Sequence, residues 1–397
     1  MMSTTVGETV IVHKDRFAYI SHPSITILDN GEWVAAFNHS RRREGKLLHP
    51  PDDPLYRTLL CRSADKGATW DEPTFAPGFD WYGTECPGIA TLADGTVVLS
   101  QFRFAWYPLE TARKRRAAGE RIFLNLPERR WPTSWIDDFT DADWSRSCFT
   151  WARGYHGVYV HLSSDNARTF ERTVKLDTAN FVDGYSRTGV VELADGRIAY
   201  AVTEHHPPVN RYTYLFMSSD GGAHWDAPIV ICDDSDRQFG EPDLAEVSPG
   251  ELYCVLRCLG PYMYGCRSTD GGLTWSQPEP TGLRGCPGHL LVLKDGRLLC
   301  TYGRREEPFG IRMCLSEDGG KTWLTDSEIV IRDDLPNDDL GYPTTIECES
   351  GTLFVCYYGQ TADGVTCVQG THVTLNNTAK ANRGKRQNPP NDAACAS

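Results

Sequence analysis

Apolar residues along this chain gather in short runs, each broken once by a turn signal such as Asn-Gly, Asp-Gly or Pro-Gly. One run reads PSITILDNGEWVAAF after His22, and another reads PGIATLADGTVVLSQ after Cys86. The same pattern returns after Arg187, Glu241, Cys286 and Tyr342, so it occurs six times. Val, Ile, Leu, Tyr and Phe flank each turn, which is the composition of a β-hairpin. A second repeat runs out of step with the first. Its copies are SADKGATW (Ser63–Trp70), SSDNARTF (Ser163–Phe170), SSDGGAHW (Ser218–Trp225), STDGGLTW (Ser268–Trp275) and SEDGGKTW (Ser316–Trp323). In such a box the Ser and Asp side chains bond nearby backbone N–H groups, Gly supplies a positive φ, and the aromatic packs between units. Six hairpins, five of them followed by a box, predict six four-stranded blades. The expected architecture is an all-β, six-bladed β-propeller of antiparallel blades over residues 1–375, a ring that leaves only short strand edges.

Two stretches depart from the repeat. Residues 103–159 form an insertion in the second blade. Its ETARKRRAAGERIF segment reads as a basic helix, and its RRWPTSWIDDFTDADWSRS segment is aromatic and acidic. The insertion is either a surface excursion or a wall over the central site, with Trp131, Trp135 or Trp144 as platforms for stacking a sugar. Residues 376–397 are polar and aperiodic, and read as a disordered tail.

Charge and cysteine usage narrow the class. A formal net charge of -13 counts against nucleic acid and anionic membrane as partners. The opening MMSTTVGETVIVHKD is too polar for a signal peptide, and no apolar run reaches membrane-spanning length. There are 14 cysteines but no CxxC pair with zinc spacing, and Cys61, Cys254, Cys300, Cys314 and Cys356 fall inside strand patterns, where a thiol packs as a small hydrophobe. With no export signal, the expectation is reduced thiols in the cytoplasm. Nothing in the sequence implies a metal or a cofactor.

The boxes resemble the Asp-boxes of the sialidase (neuraminidase) superfamily, and the resemblance extends over residues 15–375. In that family the axis end of each blade's first strand lines the active site. The resemblance therefore implies that His22, Glu85 with Cys86, Arg187, Glu241, Cys286 and Tyr342 meet there. A sialic acid carries a carboxylate on its anomeric carbon, which repels a carboxylate nucleophile; a neutral Tyr activated by a neighbouring Glu avoids that repulsion. An Asp supplies the leaving-group proton and Arg side chains clamp the substrate carboxylate. Carried over by position, Tyr342 in GYPTTIECESG looks like the nucleophile, Glu241 in GEPDLAEV like its base, and Arg257 like one clamp residue. Arg312, just before the last box, looks like another, with Arg304 as its competitor. Asp52 or Asp53, in HPPDDPLY, stands where the family's acid lies. The family's aromatic-Arg-Ile-Pro segment of the first blade is here Tyr19-Ile-Ser-His-Pro23, with Ser21 in the Arg place and His22 after it. The first clamp Arg is missing, and Arg41, Arg42 or Arg187 is its candidate replacement.

The resemblance implies a retaining exo-glycosidase that removes a terminal α-linked sialic acid or related acidic sugar from a glycan. Two other classes stay open. One is a propeller lyase or hydrolase acting on uronate-containing glycans, with His22, His39, His205 or His206 as the base. The other is a non-catalytic carbohydrate-binding propeller.

Overall fold

The computed structural model describes residues 3–42, 53–78, 82–127, 135–154, 157–178, 184–186, 188–204 and 211–376. They form six antiparallel blades around one axis. Blade 1 consists of Ala18–Ile27, Trp33–Arg41, Arg57–Ser63 and Thr74–Phe75; blade 2 of Tyr82–Thr91, Val97–Pro108, Gly157–Ser163 and Arg172–Lys175. Blade 3 has its first strand in two pieces, Gly184–Tyr185 and Val191–Glu192, followed by Ile198–Glu204, Tyr212–Ser218 and Ile229–Asp233. Blade 4 runs Gly240–Ser248, Glu251–Arg257, Tyr262–Ser268 and Glu279–Arg284, and blade 5 runs Gly288–Val292, Leu298–Arg304, Gly310–Ser316 and Ile329–Arg332. Blade 6 takes Gly341–Glu349, Thr352–Gln360 and Thr366–Asn376 from one end of the chain and Ser3–His13 from the other. Ser3 lies opposite Asn376 and Val10 opposite Gly370, so this pairing closes the ring. It also explains why the sixth hairpin has no box. The box joins a blade's third strand to its fourth, and here the fourth strand arrives from the other end of the chain.

Blades are stacked face to face, so each middle strand is buried on both sides and reads as a nearly continuous apolar run. Alternate residues of one strand feed different interfaces. Leu252, Cys254 and Leu256 pack towards blade 3, whereas Tyr253 and Val255 pack towards blade 5. Trp33, Phe37, Phe354 and Cys356 fill the closing interface between blades 6 and 1. Each fully buried side chain of this size stabilises the ring by about 1.5–3 kcal/mol. Of the thirteen cysteines among the described residues, nine are buried.

The boxes fold as their composition dictates. In the first, Ser63 Oγ accepts from the Gly67 amide at 2.8 Å, Asp65 accepts from the Thr69 amide and hydroxyl, and the Trp70 indole donates to the Gly67 carbonyl at 3.2 Å. Arginines of neighbouring blades then cap box carbonyls: Arg62 reaches Ala167, and Arg267 reaches Gly319, both at 2.7 Å.

The insertion is a small layer with its own core. It continues the strand Val97–Pro108 into the helix Leu109–Ala117 and returns through Trp151–Arg153, which pairs with the end of that strand. Glu110 in the helix's first turn and Lys114, Arg115 and Arg116 in its last complement the helix dipole. Trp135 and Trp144 are only 6% and 4% exposed, packed among Trp106, Phe123, Phe149 and Phe139. The expectation that they form sugar-stacking platforms is therefore corrected: both rings are core, packed against the other aromatics of the insertion. Trp131 lies outside the described residues, as does the tail beyond Asn376.

Candidate active site

Four blades open on a residue that precedes proline and has left-handed backbone: His22 (φ 51), Cys86 (φ 46), Glu241 (φ 45) and Tyr342 (φ 44). Each sits in a β-bulge, where the ladder skips from Ser21 to Ser24, Glu85 to Gly88, Gly240 to Asp243 and Gly341 to Thr344. The bulge turns one side chain out of the sheet, and the proline gives up no ladder hydrogen bond because it has no N–H. Such a conformation costs a non-glycine residue about 1–3 kcal/mol and persists only where the surrounding fold enforces it. Its repetition at equivalent blade positions concentrates that cost at one place. In blade 5 the equivalent Cys286 precedes a cis proline, and Arg187 of blade 3 lies outside the described residues.

Three of the predicted residues meet directly. The buried Tyr342 hydroxyl donates to Glu241 Oε1, and Arg257 Nη1 donates to Glu241 Oε2 at 2.7 Å while standing 3.5 Å from the Tyr342 oxygen. Burial raises the Glu241 carboxyl, but the Arg257 charge and the hydrogen bonds from Arg257 and Tyr342 outweigh it and hold the group below its ordinary value. Burial and then the Glu241 charge push the Tyr342 phenol well above 10, against the opposing pull of Arg257. The resting pair is therefore a neutral phenol donating to a carboxylate. A phenol so placed has its proton acceptor already bonded.

Around this pair the structure adds residues that sequence reasoning missed. The Arg305 guanidinium lies 5.5 Å from the Tyr342 ring centre and donates to the Leu340 carbonyl at 2.9 Å. Its Nε is buried and has no hydrogen-bond partner among the described residues. Tyr56, Tyr358, Tyr19 and Asp339 complete the wall: Tyr19 and Tyr358 both donate to Asp339 Oδ1, at 2.8 and 3.1 Å. A comparison of blades holds a signal for Arg305, because Arg257 and Arg304/Arg305 fall at the ends of equivalent second strands. Tyr56 has no such signal, since it is delivered by a turn outside the hairpin repeat.

The remaining predicted residues divide. His22 joins the cluster: its ring stands 4.1 Å, edge to face, from that of Tyr342, and Nδ1 is 2.7 Å from the Tyr56 hydroxyl and 2.9 Å from Ser21 Oγ. Half-buried Glu85 is close by, its charge adding to the burial that raises the Tyr56 phenol. Asp53 is fully buried and shapes the turn that carries Tyr56, with Oδ1 accepting from the Leu55 amide at 2.9 Å. Asp52, His205 and His206 lie outside the described residues. Arg312 is not brought to the cluster. Its buried guanidinium is held by Glu328 at 3.5 Å and by the carbonyls of Arg332 and Pro308, on the outer side of blade 5. Burial lowers the Arg312 pKa, and the charge of nearby Arg304, on the opposite strand face from Arg305, adds to that lowering. Arg41 and Arg42 are exposed, and His39 pairs with Asp15 at 3.8 Å.

A family model described as a BNR repeat-like domain matches residues 141–355, more than half of the chain. No curated protein matches the sequence. Among solved structures, a Dyadobacter fermentans protein of unknown function is 25% identical over 94% of this chain and 99% of that one, with a TM-score of 0.78. A Hadza microbial sialidase is 17% identical over 89% of this chain and 65% of its own, at a TM-score of 0.60. A variant of the NanB sialidase from Streptococcus pneumoniae is 12% identical over 92% and 71%, at 0.66. At such identities these two likenesses speak for the fold. Together with the six blades and five boxes, the family match shows that the chain belongs to the BNR repeat-like family and carries the six-bladed propeller of the sialidases.

Proposed function

We propose that the protein is a retaining exo-glycosidase that removes a terminal α-linked sialic acid or a related acidic sugar from a glycan. The observation that carries this reading is the buried chain from Tyr342 to Glu241 to Arg257, a phenol hydrogen-bonded to a carboxylate that an arginine keeps charged. In the first step the Tyr342 oxygen attacks the anomeric carbon as Glu241 takes its proton. The bond to the leaving oxygen breaks, and that oxygen takes a proton from Asp53 or Asp52. Water then attacks the tyrosyl glycoside, the same Asp accepts the water's proton, and Glu241 returns a proton to the departing phenolate. Arg257 and Arg305 hold the substrate carboxylate, the second through the guanidinium that lies over Tyr342. With Ser21 and His22 in place of the first-blade Arg, the clamp lacks one charged contact, of about 1.5–3 kcal/mol. That favours an unusual relative of sialic acid as substrate.

Release of fluorophore from a 4-methylumbelliferyl α-sialoside tests the proposal, with Tyr342→Phe as the comparison. Turnover that collapses in the variant supports it; no turnover by the wild type counts against it. One observation favours a second reading. His22 and Tyr56, 2.7 Å apart beside the arginines, form a base–acid pair suited to removing the proton next to a uronate carboxylate. Ultraviolet absorbance from an unsaturated uronate product separates this lyase from a hydrolase.

A further inference from the structure

We infer that His22, Glu85 and Cys86 form a binding site for a divalent metal ion, zinc by the chemistry of its donors, at the junction of blades 1 and 2. A ring nitrogen, a carboxylate oxygen and a thiol sulfur from these residues all lie within 4.8 Å of one another. Tetrahedral zinc with bonds of about 2.0–2.3 Å separates its ligand atoms by about 3.3–3.7 Å, so small side-chain rotations bring the three around one ion. A nitrogen, oxygen and sulfur set suits zinc, whereas calcium and magnesium take oxygen donors. Cys86 gives up its thiol proton to solvent as the ion binds.

The surroundings fit that role. His22 and Cys86 are 7% and 3% exposed, so the ion is shielded on the side of the fold. Tyr56 and Ser21 contact His22 Nδ1, the kind of outer contact that fixes ring orientation and tautomer in metal-bound histidines. Three protein donors leave a fourth position for water or a ligand group. The site stands at the first-blade segment from which the expected arginine is missing, with the His22 ring against Tyr342. No motif announces it in the sequence, because residues 22 and 85–86 belong to the first strands of different blades and meet only when blade 2 packs against blade 1.

Metal binding at this site is independent of glycosidase activity and is read spectroscopically. Full-length, metal-stripped protein is titrated with Co2+, because a thiolate–cobalt bond gives a near-ultraviolet charge-transfer band that imidazole and carboxylate ligands do not. The expected band saturates at one equivalent, is displaced by Zn2+, persists in Cys148→Ser and is lost in Cys86→Ser. His22→Ala and Glu85→Gln weaken Co2+ binding by about tenfold or more, the smallest loss that even outer contacts produce. Zinc-edge X-ray absorption of the wild-type protein, which needs no variant, shows one sulfur at about 2.3 Å with nitrogen and oxygen at about 2.0 Å. A band that survives Cys86→Ser, or a zinc edge without sulfur, overturns the assignment.

Discussion

Replacing Arg305 and Arg312 separately by Ala distinguishes the arginine that serves the site from one that serves the scaffold. Arg305 reaches over Tyr342, is anchored by the Leu340 carbonyl, and carries a buried Nε–H with no partner among the described residues. Beside Tyr342, that guanidinium is placed to receive the carboxylate of the proposed substrate. One charge-assisted contact to a substrate carboxylate contributes about 1.5–3 kcal/mol, which converts to about 10- to 150-fold in affinity or in kcat/KM. Arg305→Ala is therefore expected to weaken binding of a non-hydrolysable sialic acid analogue by that factor, read by calorimetry, and to lower kcat/KM in parallel. Arg305→Lys keeps the charge but not the planar fork, and falls between. Arg312→Ala removes the guanidinium that neutralises Glu328 and donates to the carbonyls of Arg332 and Pro308, leaving Glu328 only the Tyr302 hydroxyl among the described residues. It is expected to lower the melting temperature while leaving the affinity of the folded protein unchanged. A folded Arg312→Ala that loses more affinity than Arg305→Ala refutes the assignment.

Glu241→Gln removes the proton acceptor of Tyr342 and is expected to lower kcat by about 10²–10⁴-fold with a smaller change in KM; a variant within a few-fold of wild type contradicts the pairing. Gly88→Ala tests the close approach of blades 2 and 3, because a Cβ there would lie 2.2 Å from the Gly189 amide nitrogen. Overpacking of that kind costs about 1–3 kcal/mol and shifts the urea midpoint down. Acid stability tests the boxes: Asp65, Asp220 and Asp270 are held down at about 2 by side-chain and backbone hydrogen bonds from Thr69, His224 and Thr274. Their folded values lie below the unfolded one, so their stabilisation is complete above about pH 4 and is lost as pH falls towards 2. Circular dichroism is expected to show unfolding across that window, and stability that stays flat down to pH 2 contradicts the role given to the boxes.

The blade count was legible because each hairpin carries both strands and its turn within about sixteen residues, and the boxes repeat a side-chain hydrogen-bond scheme that needs fixed residue types. The closing strand Ser3–His13 was not, since its partner lies over 350 residues away and no local turn marks the pairing. Tyr342, Glu241 and Arg257 were legible because all three belong to the hairpin frame. Arg305 was missed in favour of Arg312, which lies on the following strand, and of Arg304, from which it differs by the one step along a strand end that reverses the face. Trp135 and Trp144 misled for a different reason: an aromatic-rich insertion suits a sugar platform and a small hydrophobic core equally well in sequence, and burial decides between them.

The most direct test of the central claim is intact-mass and peptide analysis after exposure to a 3-fluorosialosyl fluoride, whose ring fluorine slows hydrolysis of a glycosyl–enzyme intermediate. One added sugar is expected on the peptide containing Tyr342, and none in Tyr342→Phe. An adduct on any other residue, or none on a wild-type protein that hydrolyses sialosides, contradicts that claim.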